Sequence, residues 1–282
     1  MADNTLGETM QSDELFAYLE QEINSFVDGS SGNYISLRGA LSPSCAALKL
    51  FERPIIAVGA ADDPMFSDLQ RDEAVGSQMR LPTDWLKSAR CVISYFLPMT
   101  EQVRASNRDD GPVSPEWLHA RIEGQMFIMR LGEHIERLIR KAGFEAVCPA
   151  CHPDMSATFH DENPAHAYRS TWSERHVAYT CGLGTFSLTR GIITEKGAAG
   201  RLGSVIVSAD LPTTTRAYTG LDDYCIKCGK CIDRCPAQAI SLESGKDNYA
   251  CHQVLNQSQE LFPGYYGCGK CQVGVPCEYA RP

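Results

Sequence analysis

Cysteine is the residue type with the most chemistry to offer in this chain. The 282 residues include 13 cysteines, and eight of them fall between Cys225 and Cys277. Cys225-Ile-Lys-Cys228-Gly-Lys-Cys231-Ile-Asp-Arg-Cys235-Pro236 is a C-x2-C-x2-C-x3-C-P run, the bacterial spacing for [4Fe-4S] ligation. Three thiolates three residues apart on a tight loop can wrap three irons of one cubane. Gly229 gives the backbone freedom between ligands, and Pro236 turns the chain so that the fourth thiolate faces a second cluster. Zinc also binds paired C-x2-C units, but four cysteines in this register before a proline fit a cubane better. Four more thiolates follow at Cys251, Cys268, Cys271 and Cys277. With the last cysteine crossing back, the first cluster takes Cys225, Cys228, Cys231 and Cys277. The second takes Cys235, Cys251, Cys268 and Cys271. No ligand is left over, and interleaved cubanes lie close together, which suits electron transfer.

The remaining sequence sets the context for those thiols. Lys+Arg 26 against Asp+Glu 35 gives a net charge of -9, and 43% of residues are apolar. Such a chain can bury a core. No apolar run approaches the roughly 20 residues of a membrane helix, and the acidic N-terminus lacks the apolar stretch of a signal peptide. A cytoplasmic location with no membrane partner is therefore expected, where cysteines serve as ligands or reactive thiols rather than disulfides. The acidity argues against nucleic acid as a partner, since phosphates call for basic patches.

The elements that must position the thiols read as α+β. Ser12–Phe26 has helical apolar spacing. Pro54–Val58, Arg90–Leu97, Phe144–Cys148 and Ser204–Ser208 read as short buried strands. Pro115–Ala142 reads as a long helix, with proline at its start and Gly143 as its C-terminal cap. Helices layered on a mixed sheet follow from this alternation. The cysteine density changes near residue 215, with Leu211–Arg216 as the connector, so residues 1–215 read as an α/β domain and 216–282 as a double-cluster, ferredoxin-like domain.

Cys225–Cys277 resembles the double-cluster domain of the epoxyqueuosine reductases and the related reductive dehalogenases. Glu174-Arg-His-Val-Ala-Tyr-Thr-Cys-Gly-Leu-Gly184, Gly191–Gly197 and Val205–Pro212 resemble the block that precedes the clusters in both families. The resemblance implies a nitroreductase-like α/β sandwich that holds a cobalamin against the cluster domain. The clusters would pass electrons to cobalt, for reduction of a small substrate. It places the cofactor near Arg175, His176, Gly182, Leu183, Gly184 and Thr185, and it calls for an external low-potential donor of the ferredoxin or flavodoxin type. By analogy with the dehalogenases, Tyr168 is the candidate proton donor. An electron carrier or corrinoid-reactivating protein without its own substrate is the alternative. The sequence departs from the epoxyqueuosine reductase pattern in three places. Where that pattern has Asp-Thr/Ser-Ala-Pro after a strand, Phe144–Val147 runs into Cys148-Pro-Ala-Cys-His-Pro153. A Trp-x-Gly-Lys stretch does not follow Gly184, and no helical-repeat tail follows Pro282. A substrate other than tRNA is expected on that ground.

Cys148-Pro-Ala-Cys151-His152 also matches the C-x2-C-H signature of haem attachment. Attachment takes place outside the cytosol, so a chance match, a redox pair or a labile metal site is the better reading. Cys45, Cys91 and Cys181 read as small buried hydrophobes. His152, His160 and His166, with Asp154, Asp161 and Glu162, lie in a polar insert that reads as a solvated loop or a lid.

Overall fold

The strand Cys91–Pro98 is buried along its whole length, and the rest of the first domain is layered on it. The computed structural model describes residues 11–159 and 168–282. In chain order the elements are α1 (Ser12–Gly29), β1 (Ile55–Ala60), α2 (Pro64–Asp68), α3 (Pro82–Trp85), β2 (Cys91–Pro98), α4 (Glu101–Ser106), α5 (Pro115–Lys141) and β3 (Ala146–Val147). Then come β4 (Ala157–Phe159), β5 (Tyr168–Ser170), α6 (Glu174–Cys181), β6 (Gly184–Phe186), β7 (Ile192–Thr194) and β8 (Gly200–Val207). The C-terminal part holds α7 (Lys230–Asp233), β9 (Ile240–Ser241), β10 (Gly245–Lys246) and α8 (Asn248–Leu261).

The main sheet has the order β1-β2-β8-β3, and every pair in it is antiparallel. The mixed sheet expected from the sequence is thereby corrected. β2 and β3 do run the same way, with α5 crossing between them, but β8 inserts between the two and pairs antiparallel with both. Side chains alternate between faces of a strand, and the core divides accordingly. Cys91, Ile93, Tyr95 and Leu97 of β2 pack with α1 and α5 on one face. Val92 and Phe96 pack with Phe66, Trp85, Trp172 and α6 on the other. The two layers are tied to the sheet by polar contacts as well. Tyr95 donates to the Ile128 carbonyl at 3.1 Å, and Trp172 Nε1 donates to Ser204 Oγ at 2.8 Å.

α5 has its start and stop where the sequence placed them. Ser114 Oγ accepts from the Trp117 N–H, Pro115 occupies the first turn, and Gly143 follows with φ +89°, the left-handed conformation glycine adopts without penalty. β3 is shorter than the expected Phe144–Cys148, because the chain leaves the sheet at Cys148 into a 3-10 turn over Pro149–Cys151.

The C-terminal segment returns to the first domain. Ala198 and Ala199 N–H groups donate to the carbonyls of Cys277 and Glu278 at 2.8 and 3.0 Å. The Glu278 side chain is almost fully buried and pairs with Arg104 and Arg108, while the Gly274 N–H donates to its Oε2 at 2.7 Å. Burial works against the Glu278 charge, but these hydrogen bonds outweigh it and hold the carboxyl below its ordinary value. Its stabilisation is therefore present above the ordinary carboxylate pKa and is lost as pH falls through the depressed folded value. Glu278→Ala leaves buried Arg104 with Glu101, which is exposed, as its acidic partner and the Met99 carbonyl as an acceptor, and should cost about 3 kcal/mol in urea unfolding at pH 7. A loss within 0.5 kcal/mol, the order expected of a surface change, would show that this cluster does not hold the segment.

Candidate metal centres

The cysteine run of residues 225–235 is shaped by left-handed turns. Lys227 and Gly229 have φ +51° and +77°, and Gly229 opens α7, which carries Cys231. Asp222 O accepts from the Cys225 N–H at 2.8 Å. Cys277 arrives from the far end of the chain. Its thiol is pushed up to about 11 by burial and by Cys225, Cys231 and Cys228 around it. Cys231 is likewise pushed up to about 11 by burial and by Cys225 and Cys228. Cys225 and Cys228 are thus near enough to Cys231 and Cys277 to raise both.

The other four converge beside them. Cys251 sits in the first turn of α8, which Asp247 caps through the N–H groups of Tyr249 and Ala250. Cys268 and Cys271 flank Gly269, whose φ is +68° and whose Cα faces the Trp117 ring so closely that a Cβ would clash. Burial raises the Cys271 thiol to about 12 despite Lys246 nearby, with Cys268, Cys251 and Cys235 adding to the rise. Cys268 is raised by burial and by Cys251 and Cys235. Cys231 and Cys277 of one quartet and Cys235 and Cys271 of the other belong to a single apolar cluster with Ile240 and Val275. Among the described residues no three His, Cys, Asp or Glu groups are set to grip one metal ion. A four-iron cubane takes four thiolates spread around it, and the thiols gathered here, one of them buried and most partly so, suit that group.

A cavity of about 430 Å³ opens between the second quartet and the first domain. Cys235, Cys251, Cys268 and Cys271 form one wall, and Phe96, Met99, Trp117, Ile192 and Leu202 supply apolar surface. Arg121, Arg175 and Arg201 also line it. Arg121 donates to Tyr266 Oη at 2.9 Å, and Arg175 to the Arg190 carbonyl at 2.9 Å. Arg201 bonds Gln125, while its Nε has no partner. Burial and the nearby Arg121 hold Arg201 down to about 9. Glu174, at the start of α6, also lines the cavity, and neither carboxylate oxygen has a hydrogen-bond partner. Burial raises it to about 7.

Of the residues expected to hold a cofactor, Arg175 lines this cavity, as does Tyr168, whose hydroxyl lies 3.0 Å from His252 Nδ1. The Gly182–Thr185 turn lies elsewhere. Gly182, φ +101°, caps α6 and faces Thr214. Gly184 packs on the Ile193 carbonyl too closely to accept a Cβ. Leu183 is core, and Thr185 is buried with its Oγ1 accepting from the Tyr224 N–H at 2.9 Å. Gly184 therefore serves close packing against β7, and Gly182 the left-handed cap of α6. His176 meets Ser173 Oγ at 2.7 Å and leans on the Phe186 ring. Burial and Arg175 hold it down to about 4, so it is neutral. Sequence reasoning missed Glu174, Arg121 and Arg201. Glu174 stood inside the quoted block, and its place in the first turn of an otherwise buried helix was the available signal. Arg121 and Arg201 had none, since α5 and β8 meet only in the fold. His160, Asp161, Glu162 and His166 lie outside the described residues.

The comparisons with known proteins agree with this geometry. The 4Fe-4S binding domain family matches residues 221–241. An epoxyqueuosine reductase of Bacillus anthracis is 31% identical over 114 residues, which is 37% of this chain and 29% of that protein. A trichloroethene reductive dehalogenase of Dehalococcoides mccartyi is 29% identical over 103 residues, 36% of this chain and 18% of that protein. The matches thus span under a third of these relatives. Among solved structures, a reductive dehalogenase described in terms of B12-dependent dehalogenation aligns with TM-score 0.55 and 12% identity, covering 95% of this chain and 32% of that one. An epoxyqueuosine reductase solved with a tRNA-Tyr stem loop aligns with TM-score 0.51 and 16% identity, covering 93% and 66%. The tRNA stem loop in that neighbour's structure stands against judging nucleic acid unlikely from net charge alone, because a local patch can bind phosphates whatever the total. On fold, cluster motif and partial sequence identity together, the chain is a relative of the epoxyqueuosine reductases and reductive dehalogenases, within the superfamily they form.

Proposed function

We propose that the protein is a cytoplasmic iron–sulfur oxidoreductase. Two [4Fe-4S] clusters, one on Cys225, Cys228, Cys231 and Cys277 and one on Cys235, Cys251, Cys268 and Cys271, pass electrons to a corrinoid (cobalamin) for reduction of a small substrate. One observation carries the reading: the second quartet is itself a wall of the cavity. An acceptor in that cavity lies against the thiolates that hold the nearer cluster. The first quartet lies on the outer side, with Cys228 exposed and Ile226 beside it in solvent. An external donor of the ferredoxin or flavodoxin type meets the protein there, so electrons run from the surface through the first site to the second and into the cavity. The two-domain division near residue 215 belongs to this proposal.

A bound corrinoid supplies a low-potential metal for the reductive step. The chain's own residues supply charge and protons around it. Arg121, Arg175 and Arg201 set positive charge opposite the thiolates, which favours electron arrival and an anionic ligand group. Tyr168 holds a proton at Oη. Burial raises its pKa, with Cys251 adding to the rise, and His252 on α8 can return a proton to it across their 3.0 Å contact. Glu174 holds a second proton near neutral pH.

Anaerobic reconstitution tests the whole. About eight irons and eight sulfides per chain are expected, and half that content, or zinc, would overturn the two-cluster count. Added cobalamin should shift its visible spectrum on binding, and an unchanged spectrum would remove the corrinoid. Binding with cobalt reduction but no turnover of any acceptor would instead assign a corrinoid-reactivating role.

Glu174 gives a separate test. Its folded pKa of about 7 lies above the ordinary 4.5, so folding takes up a proton there. Its stability contribution therefore rises as pH falls from above 7 toward 4.5. Glu174→Gln should melt higher than the parent above pH 7, with the gap closing as pH falls. A variant that melts lower at every pH would show Glu174 to be held by an ion pair.

A further inference from the structure

We propose that Cys148 and Cys151 form a thiol–disulfide couple that exchanges with low-molecular-weight disulfides through Cys151. The proposal goes beyond the iron–sulfur reading and depends on neither cluster. The two residues bracket the 3-10 turn Pro149–Cys151, which the Cys151 N–H closes on the Cys148 carbonyl at 3.0 Å. A turn closed from residue i to i+3 keeps its ends within about 7 Å, the span of a disulfide.

One face of α5 seats the turn. Glu136 Oε1 accepts from the Cys148 N–H at 2.7 Å, and the Met129 carbonyl accepts from Cys151 Sγ at 3.5 Å. Between them stands Gly132, where an added Cβ would sit 2.4 Å from Cys148 Sγ. The helix is bare at the point where the sulfur rests. The pair is also asymmetric. Cys148 is buried, as are Cys45, Cys91 and Cys181, and Cys151 alone of these five is reached by solvent. The neighbouring Cys148 side chain holds the Cys151 pKa below the ordinary value against burial and the carboxylates of Glu133, Glu136 and Glu174, which favours the nucleophilic thiolate.

The chemistry closes as follows. The Cys151 thiolate attacks one sulfur of an external disulfide R–S–S–R. That bond breaks, and one thiolate leaves and takes up the proton Cys151 gave up. Cys148 sulfur then attacks Cys151 Sγ of the mixed disulfide, and the second thiol leaves with the Cys148 proton. Two cysteine thiols are oxidised by two electrons, and the external disulfide is reduced to two thiols.

The test uses cluster-loaded protein under anaerobic conditions, treated with oxidised glutathione, alkylated and mapped by peptide mass spectrometry. A Cys148–Cys151 cross-link that dithiothreitol reverses is expected. Cys148→Ser should accumulate glutathione on Cys151, and Cys151→Ser should leave residue 148 unmodified, with iron content unchanged in both. Native alkylation of Cys151 should run at least 10-fold faster than that of Cys45, Cys91 or Cys181, a readout that needs no variant. Absence of the cross-link, or glutathione on Cys148 in Cys151→Ser, would overturn the proposal.

Discussion

Cys231, Cys268, Cys271 and Cys277 are gathered in protein that disfavours their charge, and much of the C-terminal architecture answers to that constraint. Burial pushes Cys231 and Cys277 to about 11 and Cys271 to about 12. Such thiols ionise only when a cation draws the charge. The backbone reaches the required points through residues in the left-handed region, with Lys227, Gly229 and Gly269 at the ligand loops. At Gly269 the Trp117 ring leaves no room for a side chain, so the loop can adopt its path only as glycine.

α5 is the common wall against which the separate parts are set. Its inner stripe, including Phe127, Leu131 and Ile135, builds the main core. Trp117 abuts the Cys268–Cys271 loop, and Arg121 reaches Tyr266 and the cavity. Further along, Gly132 and Glu136 receive the Cys148 turn. A helix of 27 residues fixes these places relative to one another.

What the sequence made legible follows from how local each signal is. The cysteine spacing is local, and the stretch that holds its first four cysteines is the one the 4Fe-4S binding domain family matches, residues 221–241. α5 announced itself through Pro115, its apolar period and Gly143. The direction of β8 was hidden, because inserting a strand between β2 and β3 is a long-range choice that leaves no mark on either. Gly184 shows a related limit. A glycine needed for close packing on Ile193 looks the same in sequence as one needed beside a ligand. Arg121 and Arg201 meet across α5 and β8, and nothing in either segment shows the other.

The hydrogen bonds from Ala198 and Ala199 to Cys277 and Glu278 couple two places that do not touch. Cys277 belongs to the outer quartet, while Ala198 and Gly200 line the cavity beside the inner one. A ligand that binds only the docked form of a segment stabilises docking by mass action. If Cys277 is a cluster ligand as proposed, iron held there would clamp the Ala198–Gly200 edge of the cavity wall, and loss of that iron would loosen it. Metal supply and the shape of the binding space are in this way linked variables.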